Sequence, residues 1–170
     1  YDYSYDALNR IKLANYHGEE YLPNQNEDYS IIATIDNPEG IMYDKNGNII
    51  RLTRMGLKEG SNQMGVIDKL VYDYAPKSNQ LIAVKDNATD DGFEDLSQGI
   101  DYLYDINGNM TKDLNKGILS ISYNHLNLPT LITIDDNDQN VGSIQYIYDA
   151  TGVKLKKIVS TGENTLYAGN

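Results

Sequence analysis

The stretch "YLYDINGNM", residues 102–110, decides how this chain is read. Two tyrosines one residue apart lead into Asp105 and then Asn107-Gly108. Alternating β-formers that end in Asn-Gly mark a strand entering a hairpin. The pattern returns as "YSYDALNRI" from Tyr3, "MYDKNGNII" from Met42, "VYDYAPKSNQL" from Val71, "SYNHLNLP" from Ser122 and "YIYDATGVKL" from Tyr146. Its second tyrosine is read at Tyr5, Tyr43, Tyr72, Tyr104, Tyr123 and Tyr148, with gaps of 38, 29, 32, 19 and 25 residues. The repeat units lie near 1–16, 41–55, 68–86, 100–116, 118–134 and 143–160, and the irregular excess sits in loops.

Each unit reads as strand, turn, strand. Period-2 alternation puts Ile100, Tyr102 and Tyr104 on one face, with Asp101, Leu103 and Asp105 on the other. Ile144, Tyr146 and Tyr148 follow the same rule, as do Leu119, Ile121 and Tyr123. In the turns, Gly47, Gly108 and Gly152 supply a backbone that accepts positive φ, and Leu8-Asn9 takes the matching place in the first unit. The acid after the second tyrosine (Asp6, Asp44, Asp73, Asp105 and Asp149, with Asn124 as its amide counterpart) bonds to N–H groups of the coming turn. The return strands are "NIIRLT", "NMTKDL" and "VKLKKIV". Hairpins laid side by side would stack their tyrosines, Tyr3 included, in ladders worth about 0.2–1 kcal/mol per cross-strand pair. A lone hairpin is marginal in water, so several must pair. The fold class is therefore all-β: consecutive antiparallel hairpins in a single-layer sheet. Only "FEDLSQ", from Phe93, suggests one helical turn. Loops are expected at 16–29, 56–65, 86–99 and 135–142, none of them a domain linker.

Composition supports a thin architecture. The 170 residues include fifteen tyrosines, one phenylalanine and no tryptophan. Tyrosine, with an apolar ring and a wet hydroxyl, suits a half-dry sheet face. A formal charge of −11 excludes a phosphate backbone as partner and weighs against anionic lipid. The absence of cysteine removes disulfides and thiolate metal sites. No apolar run is long enough for a membrane span, and no basic start precedes an apolar core. Residue 1 already lies inside a repeat unit, so the chain reads as a fragment whose export signal lies elsewhere.

The Y-x-Y-D-x-x-G-N unit resembles the RHS/YD-repeat proteins of bacteria, which include shells of insecticidal toxin complexes. "YDALNRI", "YDINGNM" and "YNHLNLPTLI" are most similar to the Bacteroidetes variants. The resemblance spans nearly the whole chain. It implies a strip of sheet curved or spiralling into a hollow shell, which in many members encloses a C-terminal toxin domain and in others serves surface adhesion. "TLYAGN", residues 165–170, is similar to the link into the C-terminal cap region. Self-cleaving aspartates of some members lie in that cap, so the resemblance assigns none here. Ala75-Pro76, Asn124 and Val153 depart from the unit. The implied partners are the rest of the chain (further repeats, cap and cargo domain) and secretion-machinery or shell-closing proteins. The implied place is secreted or cell-surface.

Catalytic patterns do not emerge. Asp136, Asp138 and Asn140 alternate like the start of a calcium loop, but an EF-hand needs Gly at position 6 and Glu at position 12. Counted from Asp136, Gly142 is seventh and Ile147 twelfth, so a solvated acidic loop is the reading, as for "DNATDDGFED". Carboxylate pairs suited to glycoside hydrolysis arise by chance among twenty-five acids. His17 and His125 lack zinc spacing, and there is no G-x-S-x-G. The expectation is a structural segment with no catalysis, metal or cofactor. The alternative is an adhesin or carbohydrate-binding module whose exposed tyrosines stack on cell-surface glycans.

Overall fold

The computed structural model describes residues 1–17, 27–88, 91–97, 99–135, 141–162 and 164–167. The described strands are all antiparallel to their neighbours. They fall into two units, Tyr1–Asp95 and Leu96–Asn170, divided within the acidic stretch 86–99.

In the first unit, β1 (Asp2–Tyr5) pairs with β2 (Ile11–Asn15) as a separate hairpin. A four-stranded meander follows: β3 (Ile41–Tyr43), β4 (Ile49–Leu57), β5 (Met64–Tyr74) and β6 (Leu81–Asp86). Bridges from Ile31 to Ala14 and to Arg54 bring a loop segment between β2 and β4. In the second unit, seven strands pair in chain order: β7 (Tyr102–Tyr104), β8 (Met110–Asp113), β9 (Ile118–Tyr123), β10 (Pro129–Asp135), β11 (Val141–Tyr148), β12 (Lys154–Val159) and β13 (Asn164–Leu166). The described strands thus form three hydrogen-bonded sheets where the sequence predicts one strip.

Three local readings change. The segment from Phe93 to Ser97 has no helical turn; the short 3₁₀ turn is Leu114–Lys116, capped by the Asp113 carboxylate and left through Gly117 at φ 63. Gly56 and Gly65 are strand residues directly opposite each other, so the loop shrinks to 58–63. A Cβ at Gly56 would stand 2.4 Å from Ile67 Cδ1, so a side chain there would require Ile67 to change rotamer. Ile100 precedes β7 and is 55% exposed, while Asp101 is buried, so the alternation read through Tyr102 does not extend back to them. Asp136, Asp138 and Asn140 lie outside the described residues, as do Thr89, Asp90 and Gln98.

The core is thin. In the first unit Ile41, Ile67, Leu70, Ala83 and Val84 are buried; in the second, Tyr102 is the one buried apolar side chain among the described residues. Loops cover the four-stranded sheet on both faces. Thr53 opposes Lys69 and Arg54 opposes Asp68, so the two pairs face opposite ways. Asn37 packs on the first face, bonded to Thr53 Oγ1 at 3.1 Å. Phe93 N–H bonds to Asp68 Oδ1 at 2.7 Å on the second, where Arg54 also meets Asp68. This face admits only glycine at 92, because a Cβ would strike the Asp68 carboxylate.

Candidate functional site

The feature that both units share is the hairpin turn, together with the tyrosine that leads into it. In the Asp44 turn, Asp44 N–H donates to the Asn48 carbonyl and Gly47 N–H to the Asp44 carbonyl. Gly47 has φ 91, whereas Asn46 is not in the left-handed region. This is a type I turn closed by a left-handed bulge residue, not a two-residue I′ loop. The same two bonds form from Asp6, Asp105, Asn124 and Asp149. The bulge position is held by Asn9, Gly108, Asn127 and Gly152, all at positive φ. The extra residue shifts the strand register beside each turn, as between Leu103 and Tyr104 or Ile147 and Tyr148.

The side chain that opens the turn is its anchor. Asp44 Oδ1 accepts from Asn46 N and Asn48 N, both at 2.8 Å, and Oδ2 accepts from Asn48 Nδ2 at 2.9 Å. Asp105 repeats this with Asn107 and Asn109, every distance 2.9 Å. Asp6 binds Leu8 N and Arg10 N, and its outer oxygen takes the Arg10 guanidinium at 2.6 Å. Asp149 binds the Thr151 and Val153 N–H groups and the Thr151 hydroxyl. Asn124 uses its amide oxygen for Leu126 N and Leu128 N. All four carboxyls are held below the usual carboxylate range. The leading cause is the Arg10 N–H for Asp6, the Asn48 amide for Asp44, the Asn109 amide for Asp105 and the Thr151 hydroxyl for Asp149.

What links neighbouring hairpins is the phenol oxygen rather than ring stacking. Tyr43 donates to the Ile11 carbonyl at 2.8 Å, Tyr74 to Ile49 at 2.8 Å, Tyr123 to Met110 at 2.6 Å and Tyr148 to Pro129 at 2.9 Å. In each case the acceptor is the first residue after the preceding turn. Burial raises the pKa of Tyr43, Tyr123 and Tyr148, so the phenols keep the proton they donate. The expected tyrosine ladders therefore give way to hydroxyl–carbonyl bonds. Rings do meet elsewhere: Tyr1 with Tyr3, Tyr1 with Tyr16, Tyr16 with Tyr29, and Tyr146 with Tyr148.

The third unit corrects a register. Tyr74, not Tyr72, is its second tyrosine, and Ala75 stands in the aspartate position. Asp73 lies within β5, opposite Ala83, and meets Lys85 diagonally across the ladder at 3.8 Å. The turn runs one residue longer, from Ala75 to Gln80, and Ser78 Oγ accepts from Gln80 N in place of the missing carboxylate. The signal for this was Pro76, which fits the second position of a type II turn, with Lys77 at φ 58 in the third. Tyr3 and Tyr5 lie in β1, about half exposed. Tyr102 is buried, and burial followed by the Asp113 charge pushes its phenol up to about 12. Tyr104, half-buried, is also raised by burial.

Contacts between adjacent turns were not legible beforehand. Asn79 Oδ1 accepts from Asn46 Nδ2 and Asn48 Nδ2 at 3.1 and 2.9 Å. Asn127 Oδ1 does the same for Asn107 and Asn109 at 3.3 and 2.9 Å. Arg10 lies 4.4 Å over the Tyr43 ring and reaches the Asp44 carbonyl. His17 meets Asp2 at the surface, and His125 sits in the Asn124 turn. No protein-family model matches the chain, and no curated protein matches it significantly.

Proposed function

We propose that this chain is a repeat segment of a large exported bacterial RHS/YD-repeat protein. In this reading it forms part of a hollow β-shell that encloses or presents a C-terminal toxin or effector domain in interbacterial competition. The observation that carries it is the phenol-to-carbonyl bond repeated between successive hairpins. A bond from one unit's tyrosine to the previous unit's exit carbonyl extends a sheet sideways by any number of units, which is what a wall requires. Containment asks for continuous pairing and few free edges, not for convergent polar groups, so the segment has no catalysis of its own. Its partners are then the remaining chain and shell-closing or secretion proteins. Limited proteolysis of the full-length protein tests this. A C-terminal domain that survives while the repeats are intact, and is digested once they are cut, is the expected result; a domain digested from the start overturns it.

A second reading, a surface adhesin or carbohydrate-binding module, has its own observation. Tyr1, Tyr3 and Tyr5 are 50–54% exposed, and Tyr29 is 42% exposed. Exposed rings suit the apolar faces of sugars. A glycan array with the intact protein, repeated after Tyr1→Ala and Tyr3→Ala, separates the two: binding lost in the variants supports adhesion, and no binding leaves containment.

A further inference from the structure

The face of the four-stranded sheet beneath Asn37 carries more than packing. Thr53 opposes Lys69, and Arg51 opposes Val71, so Arg51, Thr53 and Lys69 share one face. The segment 34–37 folds over them and, with the strands, bounds a cavity of about 300 Å³ lined by Thr34, Asp36, Asn37, Arg51, Thr53 and Lys69. That volume is at the lower end of the range in which small ligands are held, about 300–1,000 Å³.

The wall carries donors whose capacity is not filled among the described residues. Thr34 Oγ1 accepts from Asn37 N at 3.1 Å, and Thr53 Oγ1 accepts from Asn37 Nδ2 at 3.1 Å. Among the described residues neither hydroxyl donates in turn, so both protons remain for another acceptor. Arg51 donates to the Asp36 backbone carbonyl at 2.6 Å and takes part in no ion pair among the described residues. Lys69 takes no part in the ion pairs formed among the described residues. The contrast within the same two strands is informative: Arg54, on the other face, meets the buried carboxylate of Asp68. Asp36 is exposed at the rim and Asp86 accepts the Lys69 backbone N–H at 2.8 Å, so the site rests on where its donors stand rather than on an excess of positive charge.

We propose that this cavity binds an oxyanion (a carboxylate or sulfate group) on a ligand no larger than a monosaccharide, held by Lys69 and Arg51 with the Thr34 hydroxyl donating to it; Thr53, fully buried, supports Asn37 from below. The site goes beyond the containment reading and does not depend on it. The test is an NMR titration of the full chain with sodium glucuronate, sodium sulfate and glucose, each against sodium chloride at matched ionic strength. Saturable shifts of the Asn37, Thr53 and Lys69 amides with glucuronate or sulfate, and none with glucose, are expected. Response to glucuronate alone assigns a sugar acid; response to sulfate assigns a free or esterified oxyanion. Lys69→Gln should weaken binding about tenfold or more, while Lys69→Arg should retain it. Arg51→Gln, at an exposed position, gives the same reading if Lys69→Gln fails to fold. Equal shifts with glucose, unchanged affinity in the glutamine variants, or no saturable shift with either anion overturns the proposal.

Discussion

The Asp105 and Asn124 turns are neighbours in the seven-stranded sheet and differ where it matters. Both place one side-chain oxygen on the backbone N–H groups two and four residues ahead, at 2.9 and 2.9 Å in the first and 2.9 and 3.0 Å in the second. The first uses a carboxylate, a glycine bulge and Asn109; the second uses an amide, Asn127 in the left-handed region and Leu128. The turn therefore needs an acceptor of the right reach, not a charge. What the charge adds is a second oxygen for the Asn109 amide, and with it a dependence on pH. The Asn127 carbonyl oxygen then ties the two turns together.

The largest break in this comparison comes from the bulge position. Gly108 sits at φ 84 and Asn127 at φ 56. A β-branched residue in the left-handed region costs about 1–3 kcal/mol. Gly108→Val should destabilise the chain by that amount, read as the shift of its urea midpoint multiplied by the slope m. Asn127→Val starts from a residue that already carries part of the left-handed strain, so it should cost as much as Gly108→Val only if the inter-turn amide bonds, whose acceptor it removes, matter.

Next in size is the bond between the two hairpins. Tyr123→Phe removes the donor to the Met110 carbonyl and keeps the ring. The expected loss is about 0.5–1.5 kcal/mol, the net worth of one hydrogen bond. Tyr148→Phe should cost a similar amount, since Pro129 offers the same carbonyl. The raised pKa of Tyr123 gives a second reading at alkaline pH. The folded state prefers the neutral phenol, so its contribution is complete below the ordinary tyrosine value and is lost as pH rises through the raised one. Tyr123→Phe should remove part of the alkaline decline.

How far the sequence reveals this follows from range. Turn anchors such as Asp44 and Asp105 were legible because their bonds close within four residues. Tyr72 reads as the second tyrosine because Asp73 imitates the anchor, while the true turn opens at Ala75 and borrows Ser78. The amide links through Asn79 and Asn127 were not legible, since they depend on how two hairpins sit side by side. The buried acids Asp68, Asp101 and Asp113 were missed for a similar reason: acids are normally exposed, and only loop closure buries these three. For Asp68 one signal was available, a lone acid in the apolar run "VIDKLV".

The charge itself is tested by exchanging the two anchors. Asp105→Asn makes the first turn resemble the second, and Asn124→Asp does the reverse. Because the Asp105 pKa is depressed in the fold, its contribution is complete above the ordinary value of 3.8 and is lost as pH falls through the depressed one. Asp105→Asn should therefore lower the urea midpoint at pH 7 and lower it by less at pH 2, where the wild-type carboxyl is nearer its protonated form. Asn124→Asp should gain less at pH 7 than Asp105→Asn loses, because Leu128 offers no amide to the second oxygen. Equal effects at both pH values would sink the assignment of charge as the difference between the turns.

The smallest effect is the most discriminating. Asn127→Gly relieves a left-handed non-glycine residue, worth up to about 1 kcal/mol in its favour. It also deletes the oxygen that takes the Asn107 and Asn109 amides, bonds at the surface where water competes. The two terms oppose each other, so the net change should be near zero. The same substitution combined with Asn107→Ala and Asn109→Ala leaves only the backbone term, and stability should then rise relative to the Asn107→Ala, Asn109→Ala background. A rise of equal size with and without those asparagines would mean that the amide links carry no energy, and that neighbouring turns are coupled through the tyrosine bond and the ladder alone.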